Sequence, residues 1–254
     1  MSLTRLALRF AAPVPQVESF QRYLFVGPHP DDIEIGAGAT AAKLAAMGKQ
    51  ICFLICTDGR FGDGHTPLKG DALVQARMEE ARRSAAQLGV TDVRFAGFSD
   101  GGFYQPEELN RAIAQVIGDF QPDILFAPDP CVRSECHTDH LNVGNAVRRL
   151  ACFAPMENIM SQMGAKAAPV KAVAFYMTAR PDRFVGTRGA VSKQLSAIFD
   201  CHASQFAPSS PESSSIRLYL KLRALDFGLR SLKGQAEGFR VLGQTHMHCL
   251  PESE

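Results

Sequence analysis

The chain has 254 residues, and its 27 lysines and arginines almost cancel its 26 aspartates and glutamates, leaving a formal charge of +1. That balance, with basic side chains interleaved among acidic ones as in Arg77-Met78-Glu79-Glu80-Ala81-Arg82-Arg83, excludes a phosphate-tracking surface. A hydrophobic content of 46% is ordinary for a soluble globular protein, and seven cysteines with no CxxC pair do not make a disulfide framework, so a reducing, cytoplasmic setting is expected.

The apolar stretch between Arg5 and Arg9 is too short for a signal-peptide core, and no later run is long enough to span a bilayer. Residues 1–21 read as an N-terminal extension. The first strand is Arg22 to Gly27, RYLFVG, stopped by Gly27 and Pro28. After His29-Pro30-Asp31-Asp32 an Ala-rich helix is predicted from Ile35 to Met47, with Gly36 and Gly38 permitting close backbone approach to a partner. Ile51 to Cys56 is a nearly continuous apolar run, the mark of a parallel strand covered on both faces.

A helix from about Asp71 to Leu88, a strand from Val93 to Phe95, a helix over Leu109 to Ile117 and a strand from Asp123 to Ala127 continue the alternation. A helix beginning near His137 or Asp139 then runs to Phe153, and Val170 to Tyr176 is strand-like. The succession predicts an open, doubly wound, mostly parallel Rossmann-like sheet flanked by helices, with an α/β core over 22–206. Residues 207–254 are less regular and are expected to pack on the same domain. Helix signals in the last third of the chain cover Val191 to Phe206 and Ser215 to Leu232, separated by Ala207-Pro208-Ser209-Ser210-Pro211.

The polar residues of interest fall on loops after strands, where an open α/β sheet presents its ligand site. Adjacent Asp31 and Asp32 repel when both ionise, and a cation would offset that cost. His29 and Asp32 offer the nitrogen and oxygen donors that zinc accepts. A third donor is available in His137-Thr138-Asp139-His140, where one imidazole could bind the metal and the other address a substrate while Asp139 orients a ring.

Gly27-Pro28-His29-Pro30-Asp31-Asp32-Ile33-Glu34-Ile35-Gly36 and His137-Thr138-Asp139-His140-Leu141-Asn142-Val143-Gly144 resemble the two motifs of the PIG-L/LmbE family of zinc-dependent N-acetylglucosaminyl deacetylases. Weaker similarity appears in Thr57-Asp58-Gly59, Arg77 to Gly89 and Lys193 to Gln205. The resemblance implies a Zn2+ site of His29, Asp32 and His140, with Asp31 as general base. It further implies that His137 stabilises the developing oxyanion or assists the leaving amine, with Asp139 supporting a histidine, and that the chain forms a homo-oligomer. The sequence departs from the family pattern in Arg60 after Thr57-Asp58-Gly59, in Thr138 where proline is usual, in the offset of Glu34 from the aspartate pair, and in Phe184-Val185-Gly186, which lacks an aspartate.

The expected substrate is a small N-acetylglucosamine-containing molecule, with Arg60, Asp63, Arg77 and Asp100 as candidates for its hydroxyls and Tyr104, beside Phe103, as a sugar platform. Arg180, Asp182, Arg183 and Arg188 form either an anion site or a structural loop network. His202 reads as a structural histidine or as part of the active-site wall. His246 and His248 would share one face of a strand. Two alternatives remain at this point: an amidase for another sugar conjugate, and a noncatalytic nucleotide-binding module suggested by Gly27 and Gly36-Ala37-Gly38. The latter lacks the compact GxGxxG turn.

Overall fold

A computed structural model describes residues 3–62, 64–207, 210–248 and 250. Its strands are β1 (Arg22–Gly27), β2 (Gln50–Thr57), β3 (Asp92–Phe98), β4 (Ile124–Pro128), β5 (Ala172–Tyr176), β6 (Arg183–Gly186) and β7 (Ala236–Gly243). Its helices are α1 (Leu3–Ala11), α2 (Asp32–Ala46), α3 (Gly70–Leu88), α4 (Pro106–Phe120), α5 (Thr138–Phe153), α6 (Glu157–Met160), α7 (Val191–Cys201) and α8 (Pro211–Ser231).

The strands form one sheet in the order β3-β2-β1-β4-β5-β7-β6. From β3 to β5 the pairing is parallel, whereas β7 runs antiparallel to both β5 and β6. Side chains alternate across the sheet, as the pleat requires. Tyr23, Phe25, Phe53, Ile55 and Phe126 face α2, α3 and α7, while Leu24, Val26, Leu54, Leu125 and Val173 face α4 and α5. The Phe25 and Phe126 rings stack at 4.2 Å across β1 and β4. Both faces are therefore dry, which explains why these strands read as apolar runs without polar alternation.

Several boundaries differ from expectation. Helix α2 begins at Asp32, one turn before the expected Ile35, because Asp32 and Glu34 place acidic charge in its first turn, where the helix dipole favours it. Helix α7 stops at Cys201, and His202 caps it. Helix α8 starts at Pro211 with Ser210 as its cap, Ser210 Oγ accepting the Ser213 amide at 3.0 Å. Strands β6 and β7 were not anticipated, since Glu237, Gly238 and Arg240 break the apolar pattern of β7. His246 stands on a 3-10 turn, Gln244–Met247, and not on a strand. Asp182 and Arg183 belong to the structural alternative: Asp182 accepts the Val241 amide at 3.0 Å, and Arg183 donates to the Val14 carbonyl at 2.6 Å.

The expected close approach at the α2 glycines is real, and its partners are internal. A Cβ on Gly36 would lie 2.2 Å from Tyr176 Cδ2, and one on Gly38 would lie 3.1 Å from Gln194 Cγ. These glycines let the helix sit on β5 and α7, so they supply no phosphate cradle.

Candidate functional site

Chain order runs from β1 outward to β2 and β3, then returns to β4 on the other side of β1, so the sheet has its switch point between β1 and β4. The loop after β1 carries His29 to Asp32, and the loop after β4 leads to His137 and α5. The two clusters expected from sequence thus meet over one crevice. Thr57 Oγ1 and its amide both donate to the Pro28 carbonyl, at 2.9 and 2.8 Å, and fix the loop after β1 from the neighbouring strand.

His29 Nδ1 lies 2.9 Å from Asp32 Oδ2, and His140 Nε2 lies 3.3 Å from the same oxygen. Each imidazole is held from behind by a second carboxylate. His29 Nε2 is 3.0 Å from Asp139 Oδ2, and His140 Nδ1 is 3.0 Å from Glu135 Oε2. These outer acceptors hold a proton on the outer nitrogen of each ring and turn the inner lone pairs toward Asp32. Two lone pairs and a carboxylate oxygen facing one another need a cation between them. His29, Asp32 and His140 can each offer one such atom within 4.8 Å of the others, so the residues fit a divalent metal ion.

Without that ion, protons serve instead. Burial opposes charge on His29, but its bonds to Asp139 and Asp32 outweigh burial and raise its pKa to about 10. His140 is raised to about 8 by Asp32 against the same penalty. Asp32 is also buried, and its two histidine bonds hold its carboxyl well below the usual range. A second grouping, His29, His137 and Asp139, has similar spacing. Its Asp139 is already saturated: Oδ2 also accepts the Gly101 amide at 2.7 Å, while Oδ1 accepts the Gly102 amide at 2.9 Å and the Tyr104 hydroxyl at 2.8 Å. The first set is the better cation site. Despite burial, the bonds from His29, Gly101 and Tyr104 lower the Asp139 pKa to about 2.

Asp31 precedes α2 with φ 122°, a strained conformation for a residue with a side chain and worth about 1–3 kcal/mol. Arg77 holds it there, donating to the Pro30 carbonyl at 2.9 Å and to Asp31 Oδ2 at 3.3 Å from a buried position on α3. Burial pushes the Asp31 carboxyl up to about 6, with Arg77 restraining the rise and Asp32 adding to it. His137 caps α5, its Nδ1 accepting the Asp139 amide at 3.2 Å, which leaves the proton of the neutral ring on Nε2. Burial and the neighbouring charges of His29 and His140 lower its pKa and keep it neutral.

The remaining candidates scatter. Arg60 is engaged by Asp58, with Nε 2.8 Å and Nη2 2.6 Å from Oδ2. Both Asp100 oxygens accept the Phe61 amide at 3.2 Å. The Tyr104 hydroxyl is turned toward Asp139, while Phe103 is exposed and meets Phe61 edge-on at 5.7 Å. Asp63 lies outside the described residues. His202 is fully buried on Glu34, 3.4 Å from Oε1, and Glu34 in turn accepts from Ser84 Oγ at 2.6 Å. Sequence reasoning missed Glu135. Its signal was an acidic residue in the short loop before His137, with an oxygen accepting the His137 amide at 2.8 Å.

A doubly wound sheet with a two-histidine, one-carboxylate cluster at its switch point, and a buried carboxyl beside it, defines a metal-dependent enzyme of the α/β class. The family model described as "PIG-L: GlcNAc-PI de-N-acetylase" matches residues 24–151, and the chain belongs to that family. It is 32% identical to a diacetylchitobiose deacetylase of Thermococcus kodakarensis over 252 residues, covering 98% of this chain and 92% of that protein. It is 29% identical to a 1D-myo-inositol 2-acetamido-2-deoxy-alpha-D-glucopyranoside deacetylase of Kineococcus radiotolerans, over 68% of this chain and 55% of that one. The solved N,N'-diacetylchitobiose deacetylase of Pyrococcus horikoshii superposes with a TM-score of 0.85 at 27% identity, covering 99% and 97% of the two chains.

Proposed function

We propose that this chain removes the acetyl group from an N-acetylglucosamine-containing small molecule, using a zinc ion held by His29, Asp32 and His140. The convergence of two oriented imidazoles on Asp32, with Asp31 next to it, carries this reading. Zinc bound there would supply a water of lowered pKa and polarise the acetamide carbonyl. Asp31, poised at about 6, is ionised at neutral pH yet basic enough to take a proton from the attacking water and pass it to the departing nitrogen. Arg77 orients the Asp31 carboxylate. His137, neutral with its proton on Nε2, donates to the developing oxyanion.

Asp139 and Glu135 are positioning residues for His29 and His140, and Tyr104 supports Asp139 and not the sugar. Arg60 and Asp100 are the candidates left for substrate hydroxyls, Arg60 by exchanging its contact with Asp58. Similarity over nearly the whole length to diacetylchitobiose deacetylases, against partial similarity to the inositol-conjugate enzymes, favours an oligosaccharide of N-acetylglucosamine as substrate. No described helix is long and apolar enough to cross a membrane, in keeping with a small soluble substrate met in the cytoplasm.

The test is free-amine release from N-acetylglucosamine, diacetylchitobiose and the inositol conjugate by metal-free protein, zinc-restored protein and zinc-restored Asp31→Asn. Turnover of the disaccharide that requires zinc and is lost in Asp31→Asn is expected. A folded, zinc-loaded protein that leaves every acetamide intact overturns the proposal.

A further inference from the structure

Helix α8 turns Leu220, Ala224 and Phe227 inward, with the partly buried Ile216 packed on the core beside them. On the opposite side Leu218, Leu222, Leu225 and Leu229 follow one another at intervals of four, three and four, and Leu232 at the helix cap extends the series by three. Their exposures run from 45% at Leu225 to 95% at Leu232, and Tyr219 beside them is 53% exposed. A 4-3-4-3 spacing is the seam of a two-stranded coiled coil, narrower than the face a helix needs to lie on a core. The exposed parts of these side chains come to on the order of 600 Å², approaching the ~800 Å² each partner contributes to a stable interface.

We infer that α8 is the interface between two copies of this chain, packed with their α8 helices parallel about a two-fold axis. Charge complementarity selects this occupant and this direction. Lys221 and Asp226 flank the seam on opposite sides, five residues apart, both exposed. In a parallel pair that offset brings Lys221 of one copy against Asp226 of the other, twice by symmetry. An antiparallel pair would instead set Asp226 against its own copy near the centre of the seam. Asp226 Oδ2 lies 3.5 Å from Arg230 on its own helix, leaving Oδ1 for the partner.

A lipid surface fits less well. The arginines of the helix that would meet headgroups are turned onto the protein's own rings, with Arg217 4.1 Å from the Phe199 centroid, Arg223 5.1 Å from Phe227 and Arg230 5.3 Å from Phe184.

Sedimentation and light scattering of the whole chain test the inference. The native protein is expected as a dimer or an assembly of dimers, and Leu222→Lys with Leu229→Lys as a monomer with an unchanged circular dichroism spectrum. Lys221→Asp is expected to weaken the dimer by about tenfold, and adding Asp226→Lys to restore it. A monomeric native protein, or an assembly indifferent to the leucine changes, overturns the interface. Tighter association of Asp226→Lys alone overturns the parallel arrangement. Leucine-dependent binding of a monomer to phosphatidylserine vesicles would assign the face to a membrane instead.

Discussion

Replacing Asp139 by Asn keeps its volume and removes its charge. The carboxylate accepts four donors: the His29 ring, the amides of Gly101 and Gly102, and the Tyr104 hydroxyl. An amide has one accepting oxygen. If its NH2 faces Gly102 and Tyr104, the hydroxyl can rotate to accept, but the Gly102 N–H loses its partner. If it faces His29 and Gly101, the Gly101 N–H is orphaned and His29 must take the other tautomer, with its proton aimed at the metal position. Either way one part-buried backbone donor loses its bond to a charged group, at about 1–3 kcal/mol, and a charge-assisted bond to His29 is lost, at about 1 kcal/mol more.

Asp139→Asn should therefore unfold about 2–4 kcal/mol more easily in the metal-free state, a fall in Tm on the order of 10 °C for a chain of this size. Its zinc affinity should drop about 10–100-fold, since the outer partner of a ligating histidine is gone. Denaturation in chelator and competitive zinc titration measure the two effects separately. An unchanged metal-free stability together with an unchanged zinc affinity would refute the role assigned to these bonds.

Glu237 gives a pH signature remote from the metal cluster. Burial raises its pKa from the ordinary 4.5 to about 7, against the restraint of the Thr40 and Ala39 donors. The folded state thus holds this proton more tightly than the unfolded chain, so its stabilisation is full below pH 4.5 and is lost as pH rises through 7, by about 3 kcal/mol across the window. Urea unfolding from pH 4.5 to 8 should show this decline in the native protein and a flatter profile in Glu237→Gln; parallel profiles would count against it. Gly36→Ala places a methyl 2.2 Å from the Tyr176 ring and should cost about 3 kcal/mol or more, disturbing the Tyr176 hydroxyl bond to the Val26 carbonyl, as chemical denaturation would register. Because a metal must displace protons from His29 and His140, zinc affinity should fall at least about tenfold per pH unit below 8, with proton release seen by calorimetry in buffers of different ionisation heat. A pH-independent affinity would contradict that arrangement.

The sequence by itself determined the parallel core and the two motif loops. RYLFVG, ICFLIC and DILFA are apolar without alternation, and only a strand covered on both faces tolerates that composition, so local burial was written in local composition. The same holds for His29 to Asp32 and His137 to His140, whose place after strands follows from element order alone. What only the tertiary structure decided were the partners. Arg77 reaches Asp31 across 46 residues and His202 reaches Glu34 across 168. Glu135 becomes the support of His140 only once the loop after β4 folds back. Strand β7 earns its place through antiparallel pairing with β5, while its own run carries Glu237 and Arg240 and so hides its period. Periodicity reports which face of a segment is dry, and it carries no information about which distant side chain lies against that face, because that contact is set by how the layers close.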